Sequence, residues 1–133
     1  VKNQSVYAFF TIRLEVLDIS KLEKSVKKKL ILKGKSPNNI DYIPCVLLEE
    51  LAKNSNIKNN DVDLDYIIKH VTDIVSKVIS YVGGELLILN SVNVEKVKDK
   101  YKSNDFVPFG EPKTPRNANV QYQPMFRRLS NNS

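Results

Sequence analysis

The stretch that decides the fold is DVDLDYIIKHVTDIVSKVISYV, residues 61–82. Its branched apolar residues recur at the 3, 4, 7 and 8 spacing of one helix face, and polar residues fill the other face. They are Ile67, Ile68, Val71, Ile74, Val75, Val78, Ile79 and Val82. Because β-branched residues lower intrinsic helix propensity, this helix needs tertiary packing to form. The sequence therefore predicts one long core helix at about 61–82.

Other elements are predicted on both sides of this helix. Residues 6–17 alternate apolar and polar side chains, which predicts a half-buried strand with Leu14 and Val16 among its inward residues. Ser20 and Glu23 have the capping-box spacing that starts a helix. Residues 41–53 are interpreted as a second helix, residues 85–89 as a buried strand and residues 93–102 as a polar helix. We expect an α/β (α+β) fold in which three to four helices pack on a small sheet of two or more strands.

The character of the chain changes after residue 102. Residues 103–133 contain four of the six prolines and show no sustained period. Their apolar residues are isolated, and we predict that they bind a partner: Phe106, Phe109, Tyr122, Met125, Phe126 and Leu129. We therefore divide the chain into a globular domain at 1–102 and an extended tail at 103–133 that docks on a partner or on the domain surface.

The formal net charge of +6 is confined to one segment. Between residues 20 and 35 there are seven lysines against Glu23, and the other 14 basic residues balance 14 acidic ones. The lysines are Lys21, Lys24, Lys27, Lys28, Lys29, Lys33 and Lys35. They are either the solvated face of an amphipathic helix or a phosphate contact without sequence specificity, since no arginine or aromatic residue accompanies them.

Catalytic and metal-binding patterns find little support. The only cysteine, Cys45, and the only histidine, His70, cannot form a zinc cluster, and neither has the flanking signature of a nucleophile or base. Asp61, Asp63 and Asp65 have calcium-loop spacing but lack its glycine and its final glutamate, so we assign them to a helix start. We expect no metal, no cofactor and no small-molecule substrate.

These observations lead to a predicted function. We expect a non-enzymatic assembly subunit of a larger complex that binds other protein chains through its tail. The alternative is nucleic-acid or ribonucleoprotein binding through residues 21–35. The sequence Arg127-Arg128-Leu129-Ser130 makes Ser130 a possible phosphorylation site. One unpaired cysteine and the lack of an apolar run long enough to span a bilayer favour an intracellular, reducing compartment.

Overall fold

The computed structural model describes residues 8–31, 40–53, 63–82, 85–116 and 119–129. Within these residues, five strands form one sheet and three helices flank it. In chain order the elements are β1 (Ala8–Asp18), α1 (Lys24–Leu30), β2 (Tyr42–Lys53), α2 (Leu64–Val82), β3 (Leu86–Val92), α3 (Glu95–Lys102), β4 (Val107–Pro108) and β5 (Tyr122–Arg128). The predicted mixed α+β class is confirmed, and so is the long core helix.

The sheet has the strand order β1-β2-β3-β5-β4. All neighbouring strands are antiparallel except β2 and β3, which run parallel. Parallel neighbours need a crossover connection, and α2 supplies it. Among the described helices, none has the length and apolar content needed to cross a bilayer.

The core lies on both faces of the sheet. On one face, α2 buries Ile68, Val71 and Val75 against Leu87 of β3 and Met125 of β5. On the other face, Leu30 of α1 packs with the strand residues that alternate with these, such as Cys45 of β2 and Ile88 of β3. Because successive side chains of a strand point to opposite faces, both apolar sets of β2 and β3 are covered.

Residues 42–53 form β2, so the helix predicted at 41–53 is wrong. The apolar run Cys45-Val46-Leu47-Leu48 satisfies a helix face by spacing, but it equally fits a strand that is covered on both faces. Pro44 lies within the strand, next to the edge strand β1, where Val16 is its partner. The apolar run is too short to distinguish a helix from a strand, so tertiary packing decides which of the two forms.

Two local predictions in the first strand and helix also fail. Leu14 and Val16 are each 60% exposed, because neither α2 nor α1 covers that part of the edge strand. The capping box does not form: the backbone N–H and hydroxyl of Ser20 both donate to Asp18, and α1 begins later, with Glu23 as its N-cap and no side-chain cap. In α2, the side chain of Ile74, which was predicted on the apolar face, is also 41% exposed.

The segment predicted as a tail contributes two strands to the sheet. β5 is an interior strand between β3 and β4, and it pairs with β3 from Leu86↔Arg128 to Val92↔Tyr122. Its residues alternate between the two cores, with Met125 on the α2 face and Phe126 on the α1 face. The division at residue 102 therefore does not correspond to a boundary of the sheet.

Candidate active site

The parallel pair β2–β3 is only partly joined. Its register runs from Cys45↔Leu86 to Leu48↔Leu89 and no further in the described strands. Beyond that point β2 continues along β1 to Lys53, and β3 continues along β5 to Val92. We call residues 45–48 and 86–89 the paired half, and residues 49–53 and 90–92 the open half.

A β-bulge accounts for the separation. Thr11 of β1 pairs with Glu50 of β2, but the next residue, Ile12, pairs with Leu48, so Glu49 is an extra residue in β2. The Glu49 carboxylate bonds to Arg13 of β1 at 3.0 Å, which holds this part of β2 toward β1. A bulge bends the strand that carries it. This one falls where the pairing with β3 stops.

The open half has the properties of a binding crevice. Ligands of α/β sheets bind outside the carboxyl ends of parallel strands, and this is the edge where β2 and β3 diverge. Backbone N–H and C=O groups that face the opening are not used between the two strands. An extended ligand with amide groups can hydrogen-bond to such groups in the way that a peptide adds to a sheet edge.

The first turn of α2 lies at the same edge, because α2 follows β2. The Asp63 carbonyl accepts the first helical hydrogen bond from Ile67 N–H at 3.2 Å, and its Oδ1 accepts one from Tyr66 N–H at 2.8 Å. Asp63 is therefore the N-cap. The Asp65 carboxylate accepts a hydrogen bond from Asn104 Nδ2 at 2.8 Å. Two carboxylates thus occupy the amino-terminal end of this helix.

Tyr101 lies in the last turn of α3, which follows β3. Its ring is half-buried and packs edge-to-face on Phe106, with 6.0 Å between the ring centroids. Its carbonyl accepts hydrogen bonds from Asn104 N–H at 2.9 Å and Phe106 N–H at 3.1 Å. Burial raises the pKa of the Tyr101 hydroxyl, so this group keeps its proton at neutral pH. Through the Asn104–Asp65 bond, this end of α3 meets the start of α2.

The structure does not bring the predicted partner-binding side chains to the surface. Five of the six are buried in the chain's own core, and Tyr122 is partly exposed. The buried ones are Phe106, Phe109, Met125, Phe126 and Leu129. They face two different cores of this chain, which accounts for their isolation in the sequence.

Four lysines of the lysine-rich segment, Lys24, Lys27, Lys28 and Lys29, lie on α1, which packs on the face of the sheet opposite to α2. The Lys27 side chain is mostly buried, and its Nζ is 3.9 Å from Asp41 Oδ1. The other described lysines are exposed: Lys21, Lys24, Lys28 and Lys29. Lys33, Lys35 and the possible phosphosite Ser130 lie outside the described residues. The described lysines of this segment are therefore not placed with Tyr101.

The other sequence candidates are not assembled into a site. Cys45 is buried on the α1 face, and burial raises the pKa of its thiol to about 11, so it is not a nucleophilic thiolate. His70 is exposed on α2, where its ring packs edge-to-face on Tyr66 with 4.6 Å between the ring centroids. Across the described residues, no group of three metal-ligating side chains comes together.

Comparisons with known proteins agree with this topology. The sequence matches no protein-family model and no curated protein. The similar solved structures include a bacterial toxin, with a TM-score of 0.63, 17% identity, and coverage of 92% of this chain and 60% of that chain. They also include AtaT complexed with acetyl-methionyl-tRNAfMet, with a TM-score of 0.57, 22% identity, and coverage of 92% of this chain and 64% of that chain. A mutant of KacT has a TM-score of 0.54, 19% identity, and coverage of 89% of this chain and 62% of that chain. At these identities, the likeness shows the fold. The chain spans less than two thirds of the length of these neighbours.

These neighbours have been solved with informative ligands. AtaT has been solved bound to the C-terminus of the antitoxin AtaR and acetyl-CoA. AtaT and KacT have both been solved as mutants with phenylalanine in place of one tyrosine. Protein, nucleic-acid and small-molecule partners therefore all occur among proteins of this fold.

The comparisons contradict the predicted function. We expected a non-enzymatic assembly subunit, or a non-specific nucleic-acid binder acting through residues 21–35, and we expected no small-molecule substrate. The structural neighbours instead include a bacterial toxin and the toxin AtaT, which has been solved with acetyl-CoA and with acetyl-methionyl-tRNAfMet. Tyr101 falls within the polar helix predicted at residues 93–102, to which no chemistry was assigned. The missed signal was a single tyrosine among charged residues after a buried strand.

Proposed function

We propose that this protein is an acetyltransferase of the toxin type, which transfers an acetyl group from a pantetheine thioester to a primary amine. The observation that carries the proposal is the open half of β2–β3, with Tyr101 on the helix that follows β3. Acetyl-CoA is the donor bound by the structural neighbour AtaT. Since the chain spans only part of its neighbours, the activity is proposed for the whole protein to which these residues belong.

The open half fits the amide-bearing pantetheine arm of such a donor. This arm is extended and carries both N–H and C=O groups, which complement the backbone groups of two diverging strands. The bulge at Glu49 keeps the strands apart without a ligand, so the crevice is preorganised. The thioester supplies an activated acetyl group at the carboxyl ends of the strands.

Tyr101 is the residue we assign to proton transfer. In acetyl transfer, the amine nitrogen attacks the thioester carbonyl, a C–N bond forms and the C–S bond breaks. The leaving sulfur takes up a proton, and the nitrogen releases one to solvent. Burial keeps the Tyr101 hydroxyl protonated at neutral pH. We propose that this hydroxyl donates its proton to the departing sulfur. Tyr101 then regains a proton from solvent.

We propose that the amine is carried by RNA. AtaT has been solved with an aminoacyl-tRNA whose amino acid is acetylated. An antitoxin chain is the corresponding protein partner, since AtaT binds AtaR.

The test is an acetyl-transfer assay with the intact chain. We expect label from [acetyl-¹⁴C]acetyl-CoA to appear in acid-insoluble aminoacyl-tRNA, and Tyr101→Phe to lower kcat by about 100-fold or more, as expected for loss of a general acid. The variant keeps the ring and its contact with Phe106.

Tyr81→Phe is the matched control, because Tyr81 is 87% exposed near the far end of α2. It should retain full activity. If wild-type protein transfers no acetyl group, the proposed function is wrong. If both variants are equally active, the proposed role of Tyr101 is wrong. Circular dichroism would check that both variants are folded.

A further inference from the structure

We propose that the acidic first turn of α2 prevents this chain from binding the diphosphate of acetyl-CoA, so that it recognises its donor through the pantetheine arm. This inference rests on the proposed function. It concerns Asp63 and Asp65 as specificity determinants, and it arises because these residues do not fit one part of the expected donor.

A donor that enters the open half brings its diphosphate toward the amino-terminal end of α2. That end of a helix is ordinarily a good anion site, because its first N–H groups are unpaired and its dipole is positive there. Here the Asp63 carboxylate already accepts the Tyr66 N–H, at 2.8 Å. The Asp63 carboxylate therefore already occupies one backbone N–H group, that of Tyr66, which a phosphate would otherwise use.

The neighbouring charges increase the mismatch. Asp65 adds a second carboxylate in the first turn of α2, and it accepts a hydrogen bond from Asn104. No lysine or arginine occurs between residues 63 and 68. The chain also has no glycine between Gly34 and Gly83, whereas loops that wrap backbone N–H groups around phosphates rely on glycine. A diphosphate at the first turn of α2 would meet two carboxylates and an N–H group that is already bonded.

The consequence is an altered donor preference. Where a diphosphate makes charge-assisted hydrogen bonds, its removal costs affinity by about 100-fold or more. In this chain we expect CoA and pantetheine to bind with dissociation constants within about tenfold of each other. Acetyl-pantetheine, or an acyl group on a protein-bound pantetheine arm, would then serve as donor about as well as acetyl-CoA.

Isothermal titration calorimetry with CoA and with pantetheine tests this on the intact chain. Asp63→Asn keeps an N-cap side chain of nearly the same shape and removes the charge. We expect it to tighten CoA binding several-fold at low salt and to leave pantetheine binding unchanged. Asp73→Asn, on an exposed mid-helix position of α2, is the control and should change neither.

The outcomes separate the two proposals. CoA that binds wild-type protein about 100-fold or more tighter than pantetheine overturns the inference about α2 and leaves the acetyltransferase proposal standing. If Asp63→Asn and Asp73→Asn change CoA binding equally, Asp63 is not the determinant and the inference is also wrong. If neither compound binds, the open half is not a donor site, and the proposed function fails together with this inference.

Discussion

The paired and open halves of β2–β3 are built from the same two strands but serve different purposes. In the paired half, Val46 and Leu48 of β2 and Leu87 and Leu89 of β3 are buried between the sheet and α2. In the open half, Glu49, Glu50 and Asn90 are exposed. One extra residue in β2 marks the change. The comparison teaches that the stability of this fold and its proposed chemistry are located at opposite ends of one strand pair.

The largest expected difference between the halves is in stability. Leu87→Ala removes a fully buried side chain from the paired half and should lower the free energy of unfolding by about 2–5 kcal/mol. Asn90→Ala, in the open half, should change it by no more than about 0.5 kcal/mol, because the side chain is exposed. Urea denaturation followed by circular dichroism measures both.

Equal losses in the two variants would break the comparison. Such a result would mean that the open half contributes to the core as much as the paired half does. An unchanged slope of free energy against urea concentration would show that Leu87→Ala acts on stability rather than on the compactness of either state.

The sequence predicted the fold best where one pattern excluded the others. The spacing from Ile67 to Ile79 fits only a helix, and α2 was predicted within a few residues. β2 was mistaken for a helix because Leu47, Leu48 and Leu51 also satisfy helical spacing. A short apolar run that is buried on both faces has no alternation to identify it as a strand.

The candidate site was much less predictable. The open half depends on a bulge at Glu49, and nothing in the local sequence of β2 specifies which residue will be left unpaired. Tyr101 was visible in the sequence, but its burial depends on Phe106, and its position near α2 depends on Asn104. These relations join residues that are distant in the chain, so spacing within one element could not reveal them.

The next largest expected effect is a pH dependence of the unfolding free energy that comes from Cys45 in the paired half. Burial raises the pKa of Cys45 to about 11 from a model-peptide value of 9.0. The folded state therefore favours the neutral thiol, and this contribution to stability is complete below pH 9 and lost as pH rises toward 11. Unfolding free energies measured across this window should fall, and Cys45→Ala should make the decline less steep.

Alkylation gives an independent measurement of the same burial. At pH 8, iodoacetamide should modify Cys45 slowly in folded protein and rapidly in urea, because only the exposed thiolate reacts. Rapid modification of the folded protein would show that the paired half opens to solvent, and the contrast between the halves would be lost. The Tyr101 hydroxyl also titrates at high pH, which is why the comparison uses Cys45→Ala rather than the wild-type curve alone.

The smallest effect is expected at the amino end of β3, where polar contacts close the paired half. The Glu85 carboxylate pairs with the Arg128 guanidinium, which also donates to the Lys29 carbonyl at 3.0 Å. Both side chains are about one third exposed. Glu85→Gln should therefore lower the free energy of unfolding by at most about 1 kcal/mol, and less in 1 M salt, where the pair is screened. Glu111→Gln, at an exposed position, is the control and should have no measurable effect. A loss as large as that of Leu87→Ala would mean that charge pairing, rather than apolar burial, keeps β3 joined to β2 and β5 at this end.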